Sequence, residues 1–268
     1  MKNVILTFAA IISFLSMNAD VITLEGNYQG SNLYVKNSFS SSGVGFCVTE
    51  VKVNGEITTD EWNSSAFEID FMSRQLNVGD PVKIEIRHRN ECATNVKVLN
   101  PEAIKAVSTY EIVAINCDRN GNLTWSTINE SGELDYIIEQ YRWNKWVKAG
   151  VINGTGKKDQ SNYSFKITPH SGPNMVRIKQ VDHNGPKVSQ SVKFRSINPS
   201  VQFAPLRVDD EIFFTDMDGT EVSTMYEIFD QYGNLILRGY GSKVNVSNLK
   251  TGAYHINYDS SVGKFVKK

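Results

Sequence analysis

Three cysteines, four histidines and a handful of close-set acids are the residues of this 268-residue sequence that could do chemistry. Cys47, Cys92 and Cys117 form no CxxC pair, and no histidine joins them at metal-ligand spacing, so no zinc site is expected. In an exported chain an odd count leaves one thiol over. Cys47 and Cys92 each fall near a predicted strand of the same domain and are expected to pair. Cys117, beside the Asp118–Asn122 turn, is expected to be a small buried residue. His88, His170, His183 and His255 are scattered over different predicted strands and loops, none beside a serine or cysteine nucleophile with an orienting acid. A G-x-S-x-G elbow is missing as well. No catalytic residue and no cofactor is expected.

Two acidic turns and one aromatic group remain. Asp118-Arg119-Asn120-Gly121 and Asp216-Met217-Asp218-Gly219 look like the opening of a calcium loop, but neither reaches the glutamate that closes an EF-hand site, so turns explain both. Glu61, Glu68 and Asp70 are expected to be surface charges on alternating strands. Tyr141, Trp143 and Trp146 are placed on a hairpin turning at Asn144-Lys145. There, residues 141 and 143 face one way and 146 returns across the pair. Half-buried they would be one side of a core; exposed they would be a ledge for glycan or protein.

Met1-Lys2-Asn3, the apolar run Val4–Leu15 and Met17-Asn18-Ala19 have the order of a signal peptide cleaved before Asp20. The run is too short for a membrane span, and no cysteine follows it to carry a lipid anchor. Without residues 1–19 the chain carries 27 basic and 29 acidic side chains, a balance of −2, which argues against nucleic acid as a partner.

The elements that must hold these residues are strands. Val, Ile, Tyr, Phe and Thr alternate between Gly/Asn/Ser turns throughout, with no sustained helical stripe. The expected fold class is all-β: three small β-sandwich domains in tandem after the signal peptide, at 20–104, 105–197 and 198–268, the last joined through a Ser196–Pro205 linker. In the first domain Asn54-Gly55 is a strong hairpin signal.

Each domain also resembles a known family. Leu76-x-Val78-Gly79-Asp80-Pro81-Val82-x-Ile84-x-Ile86 resembles the small sandwich of carboxypeptidase regulatory-like modules. Leu123-Thr124-Trp125, Tyr136-x-Ile138-Glu139-Gln140 and Val181-Asp182-x-Asn184-Gly185 resemble a fibronectin type III module, which implies that Trp125 is a core residue. The last 45 residues carry Tyr226, Asp230, Gly233, Leu235, Ile236, Gly239, Val244, Val246, Ser247, Leu249, Gly252, Tyr254 and a basic end with Lys264, Lys267 and Lys268. That order resembles the C-terminal sorting domain of Bacteroidota type IX secretion cargo. It implies a docking unit recognised by the translocon and its outer-membrane shuttle. The implied location is the cell surface or the outer membrane, after a transient periplasmic stage. Gly233, Gly239 and Gly252 are expected in turns of positive φ. The two leading sandwiches would then contact protein or glycan; the alternatives are an accessory subunit that stays on the shuttle, or a carbohydrate-binding protein.

Overall fold

The computed structural model describes residues 20–41 and 43–268, so the segment read as a signal peptide lies outside the described residues. These residues are all-β, with strands in six sheets and only short 3-10 turns beside them. They divide into two compact units: one runs to Ile104 without Val78–Asp80, and the other holds Val78–Asp80 and Lys105–Lys268.

In the first unit β1 (Asp20–Asn27), β2 (Leu33–Asn37), β3 (Val48–Val53), β4 (Glu56–Ile57), β5 (Ala66–Ile69), β6 (Pro81–His88) and β7 (Val96–Val98) form two sheets. Their orders are β1-β6-β3-β4 and β5-β2-β7. Strict alternation along β6 sends Val82, Ile84 and Ile86 inward to meet Leu33, Val35, Ile69 and Phe71. The Asn54-Gly55 turn has φ of 50° and 85°, the two-residue geometry that suits a twisted hairpin.

Cys47 and Cys92 are joined, across a sequence separation of 45 residues, with both side chains fully buried. Closing so long a loop restrains the unfolded chain. A Cys47→Ser/Cys92→Ser variant is therefore expected to lose about 2–4 kcal/mol. Urea unfolding checks this: an unchanged midpoint would show that the link does not restrain the unfolded chain.

The second unit contains two sandwiches. The first uses β8 (Glu111–Cys117), β9 (Asn122–Ile128), β10 (Asp135–Arg142), β11 (Lys145–Asn153), β12 (Ser161–Lys166), β13 (Pro173–Asp182), β14 (Gly185–Val188) and β15 (Val192–Arg195). Sheet β12-β9-β8 lies against β11-β10-β13, and β14 and β15 share the far side of β13. This is a three-on-four Greek-key sandwich whose last strand is split in two. Leu123, Ile138, Val176 and Ile178 are fully buried in its core, and Cys117 is buried beside them with burial raising its thiol pKa to about 11.

Trp125 lies in the same core, stacked on Tyr163 at 5.2 Å and edge-on to Tyr136 at 5.7 Å. Beneath these rings Glu130 is 3% exposed. It accepts hydrogen bonds from the hydroxyls of Thr127 (2.5 Å), Tyr163 (2.7 Å) and Tyr136 (3.0 Å) and from the Gly156 N–H (2.8 Å). Burial pushes its carboxyl pKa up, but these donors favour the anion and hold it below the ordinary value. A depressed folded pKa contributes stability that is present above the unfolded value and is lost as pH falls through the folded one. The melting-temperature gap between the parent and Glu130→Gln is therefore expected to shrink below about pH 4. A gap that is the same at pH 7 and pH 3 would count against the charge.

The last sandwich uses β16 (Gln202–Ala204), β17 (Arg207–Val208), β18 (Glu211–Thr215), β19 (Thr224–Phe229), β20 (Leu235–Gly241), β21 (Lys243–Asn245), β22 (Gly252–Tyr258) and β23 (Ser261–Lys267). Sheets β16-β18-β21 and β17-β23-β22-β19-β20 enclose Ile212, Phe214, Ile228, Ile256 and Phe265. The stretch Asp209–Glu221 supplies β18 and two of these core residues, Ile212 and Phe214. β23 is interior to its sheet, antiparallel to β22 and parallel to β17. The turn before it is Asp259-Ser260. Gly263 sits inside the strand, where a Cβ would lie 2.4 Å from the Phe203 ring.

Candidate functional site

Five-residue turns recur in the second unit, built alike from Asp-x-x-Gly and a polar fifth residue. At Asp230 the carboxylate accepts the N–H of Tyr232 and of Asn234 and the Asn234 amide, each at 2.9 Å. Gly233 takes φ of 85° and donates to the Asp230 carbonyl at 3.1 Å. Asp118 and Asp216 do the same with Asn120/Asn122 and Asp218/Thr220. The acids that resembled calcium loops are thus occupied by backbone donors, and among the described residues no three His, Cys, Asp or Glu converge on a metal position. Glu61, Glu68 and Asp70 line a shallow depression with Asp60, and the Glu68 carboxylate accepts the Asn32 amide.

Some of the sorting-like residues meet at one end of the last sandwich. Asp230, Leu249, Gly252 and Tyr254 line a cleft of about 580 Å³, with Tyr232 and Ile236 on its rim. Tyr254 is fixed by stacking on Phe265 at 5.4 Å and by donating to the Lys250 carbonyl at 2.9 Å. Ser247 caps locally, donating to the Asn245 side chain at 2.6 Å. Of the basic end, Lys264 and Lys268 are exposed, whereas alternation turns Lys267 inward to 8% exposure, its ammonium donating to the Lys268 carbonyl.

Gly239 is a correction. It lies within β20, not in a turn, and is paired with Tyr226, whose ring lies over it so that a Cβ would sit 2.4 Å from the hydroxyl oxygen. Glycine is needed there for close approach rather than for positive φ; Gly233 needs it for φ, and Gly252, at φ of 157°, opens β22. Gly239→Ala is expected to cost about 1–3 kcal/mol through overpacking, read as a lower urea midpoint.

The aromatic group is rearranged too. The β10–β11 hairpin turns at Trp143 and Asn144, with φ of 50° and 60°, one residue earlier than expected. Tyr141 and Trp146 become direct cross-strand partners, rings 5.3 Å apart, and the Arg177 guanidinium covers Trp146 at 4.0 Å. Trp143 leaves the strand and its Nε1–H points at the Tyr258 carbonyl, 3.4 Å away in the last sandwich. All three rings are half-buried and form no single open ledge.

Around Trp143 the two sandwiches of this unit are bonded through buried charge. Glu227 is fully buried and accepts Lys145 at 2.6 Å from the neighbouring sandwich and Arg238 at 2.6 Å from its own. Burial raises its pKa, and the two cations more than reverse that. Asp259, 3% exposed, accepts the Ser171 N–H at 2.9 Å and the Ser171 hydroxyl. Arg142, also 3% exposed, donates to the carbonyls of Asp259 (3.2 Å) and Thr168 (2.6 Å) and to Gln140 (2.9 Å). Burial lowers its pKa to about 10, so it stays charged at neutral pH. His170 is buried beside it, and its ring nitrogens face the Ser171 and Tyr141 carbonyls, at 2.8 and 3.3 Å, rather than a nucleophile.

Among the described residues no helix is long and apolar enough to cross a membrane. No protein-family description matches the sequence, and comparison with curated proteins finds no similar one. Solved structures give low likenesses. A "Biofilm associated protein - BSP domain" is 10% identical with a TM-score of 0.23; 94% of this chain aligns, and the chain spans 64% of that protein's length. A two-domain fibronectin type III segment of chicken tenascin is 10% identical with a TM-score of 0.24, over 59% of this chain and 97% of its own. The FN1–FN3 domains of chicken CNTN1 are 12% identical with a TM-score of 0.24, over 94% of this chain and 95% of their own. Scores this low carry no argument, and the all-β sandwich fold rests on the strand pairing itself.

Proposed function

We propose that this is an exported, non-catalytic envelope protein of the Bacteroidota, recognised through its last sandwich by the type IX secretion machinery. Its other two sandwiches serve protein or glycan contacts. The observation that supports this is the convergence of Asp230, Leu249, Gly252 and Tyr254, as many as 24 positions apart in the chain, on one cleft. Residues that served only as turns and core would have no need to share an opening.

Removing Lys264–Lys268 is a poor test, because it takes the end of β23 from between its two neighbours and unfolds the sandwich. Tyr232→Asp with Ile236→Asp, both exposed on the rim, leaves the core alone. In a type IX-competent host this folded variant is expected to accumulate in the periplasm and to lose co-purification with the shuttle. Normal surface delivery of it would overturn the reading. A complementary fusion should carry residues 105–268, since 198–268 alone would abandon its bonds to Arg142, Lys145 and Ser171.

Those same bonds favour a second reading, an accessory subunit that keeps its terminal sandwich and remains on the shuttle. Cutting the chain after 198 would still leave Glu227 and Asp259 buried against the preceding sandwich. Mass spectrometry of surface and membrane fractions separates the two readings: peptides beyond residue 198 persist in the mature protein only if the sandwich is retained.

A further inference from the structure

A second cleft, of about 880 Å³, opens between the two sandwiches of the second unit. Its cause is local. Pairing of β10 with β13 runs from Ile137↔Lys179 to Gln140↔Val176 and stops there. Beyond that point Tyr141–Asn144 and Pro173–Met175 diverge and leave the opening. Lys193 and Phe194 of β15 form one wall, and Ser260, Ser261 and Val262 of the last sandwich form the other. Neither sandwich alone makes this site. Its volume falls in the range of small-ligand pockets, about 300–1,000 Å³.

The lining has a distinct chemistry. It contains no aspartate or glutamate, while Lys193 is exposed and its ammonium forms no ion pair or hydrogen bond among the described residues. The Arg142 guanidinium is 3% exposed, and three of its five N–H donors already go to Gln140, Asp259 and Thr168, so Lys193 is the exposed cation of the lining. The Asn144 amide is without a protein partner among the described residues, and the Ser260 hydroxyl at the edge, 3.2 Å from that of Ser171, donates to the Asp259 carboxylate at 3.3 Å and so meets a ligand as an acceptor. Flat or apolar surface comes from Trp143, Phe194, Met175 and Val262.

A wholly apolar ligand would leave Lys193 and Asn144 unanswered. An extended peptide strand would need a run of free backbone donors. Pro173 has no N–H, and the Tyr141 carbonyl already faces the His170 ring. A sugar ring presents a C–H face for the aromatic and aliphatic surface and hydroxyls for the amide and serine. A carboxylated sugar adds the charge that Lys193 lacks a partner for. The geometry points to an acidic oligosaccharide, of the uronate type, as the ligand of this inter-sandwich cleft. The inference rests on the reading that the sandwiches serve interaction, and it names the ligand class.

The test is calorimetric titration of the purified chain, residues 20–268, with tetragalacturonate. Cellotetraose serves as the neutral control and tetraglutamate as the peptide control. Tetragalacturonate should bind saturably, more weakly as salt rises, and cellotetraose far less well. Lys193→Glu on one wall and Val262→Glu on the other should each weaken binding about tenfold or more, because a like charge is set against the ligand. Both positions are exposed, and unchanged melting temperatures would show the variants intact. Absence of saturable binding overturns the inference, as does equal binding by Lys193→Glu. Cellotetraose binding as tightly would remove the charge argument, and tighter binding of tetraglutamate would make the cleft a peptide site. Because the measurement needs no secretion, its failure leaves the export reading standing, and failure of export would not alter the binding curve.

Discussion

Trp125→Ala is expected to lower the stability of the second unit by about 3–5 kcal/mol. That is a large part of the total for a small domain, which is about 5–15 kcal/mol. The indole is 3% exposed and lies between Tyr163 and Tyr136, which also hold Glu130. Truncation therefore opens a cavity under two rings whose hydroxyls orient a buried carboxylate. The indole N–H is buried with no acceptor, so it contributes a cost rather than a bond. Trp125→Phe keeps the stack and deletes that N–H, and it should recover most of the loss. Urea unfolding followed by tyrosine fluorescence measures both variants. An unchanged midpoint for Trp125→Ala would remove the tryptophan from the core.

What could be seen in the sequence follows from how local the cause is. Asn54-Gly55 and the Asp230 turn were legible because a positive φ and a side-chain-to-backbone bond are settled within five residues. The Cys47–Cys92 pair was legible because only two of three cysteines share a domain. Gly239 was misjudged for the opposite reason. Its need for glycine comes from the Tyr226 ring on the next strand, 13 residues away, and no local pattern separates that from a turn. Trp143 left its predicted strand because two left-handed residues make the hairpin, and a tryptophan is not the residue expected at φ of 50°. β1 alternates clearly, with Ile22 and Leu24 facing the core, but the sequence before it offers no Gly, Pro or Asp turn signal to mark its start. Arg142, Glu227 and Asp259 were illegible altogether. As charged residues they read as solvent-facing, and what buries them is a neighbouring sandwich up to 117 residues away in the chain. The cleft lined by Lys193 and Val262 was hidden with them.

The same junction sets the other large effect. Arg142→Met is expected to cost about 3–5 kcal/mol, because three acceptors around the buried guanidinium lose their donor at about 1–3 kcal/mol each. Methionine fills part of the volume, but the carbonyls of Thr168 and Asp259 lose their donors in a place water reaches poorly. Lys145→Met should cost less, because Lys145 is 43% exposed and Glu227 keeps the Arg238 bond when it is gone. The form of the unfolding curve matters as much as its midpoint. With the junction intact, residues 105–268 should melt in one calorimetric transition, since each sandwich shields charges of the other. Without Arg142 the transition should split in two, and the Ser196–Ser200 connection, which ends where Val201 and β16 enter the last sandwich, should become cleavable by protease before either sandwich unfolds. A single transition at the parent temperature would mean that the buried bonds across the junction hold geometry without coupling stability. The terminal sandwich could then be released as an independent unit, which would favour the exported, processed reading over the retained one.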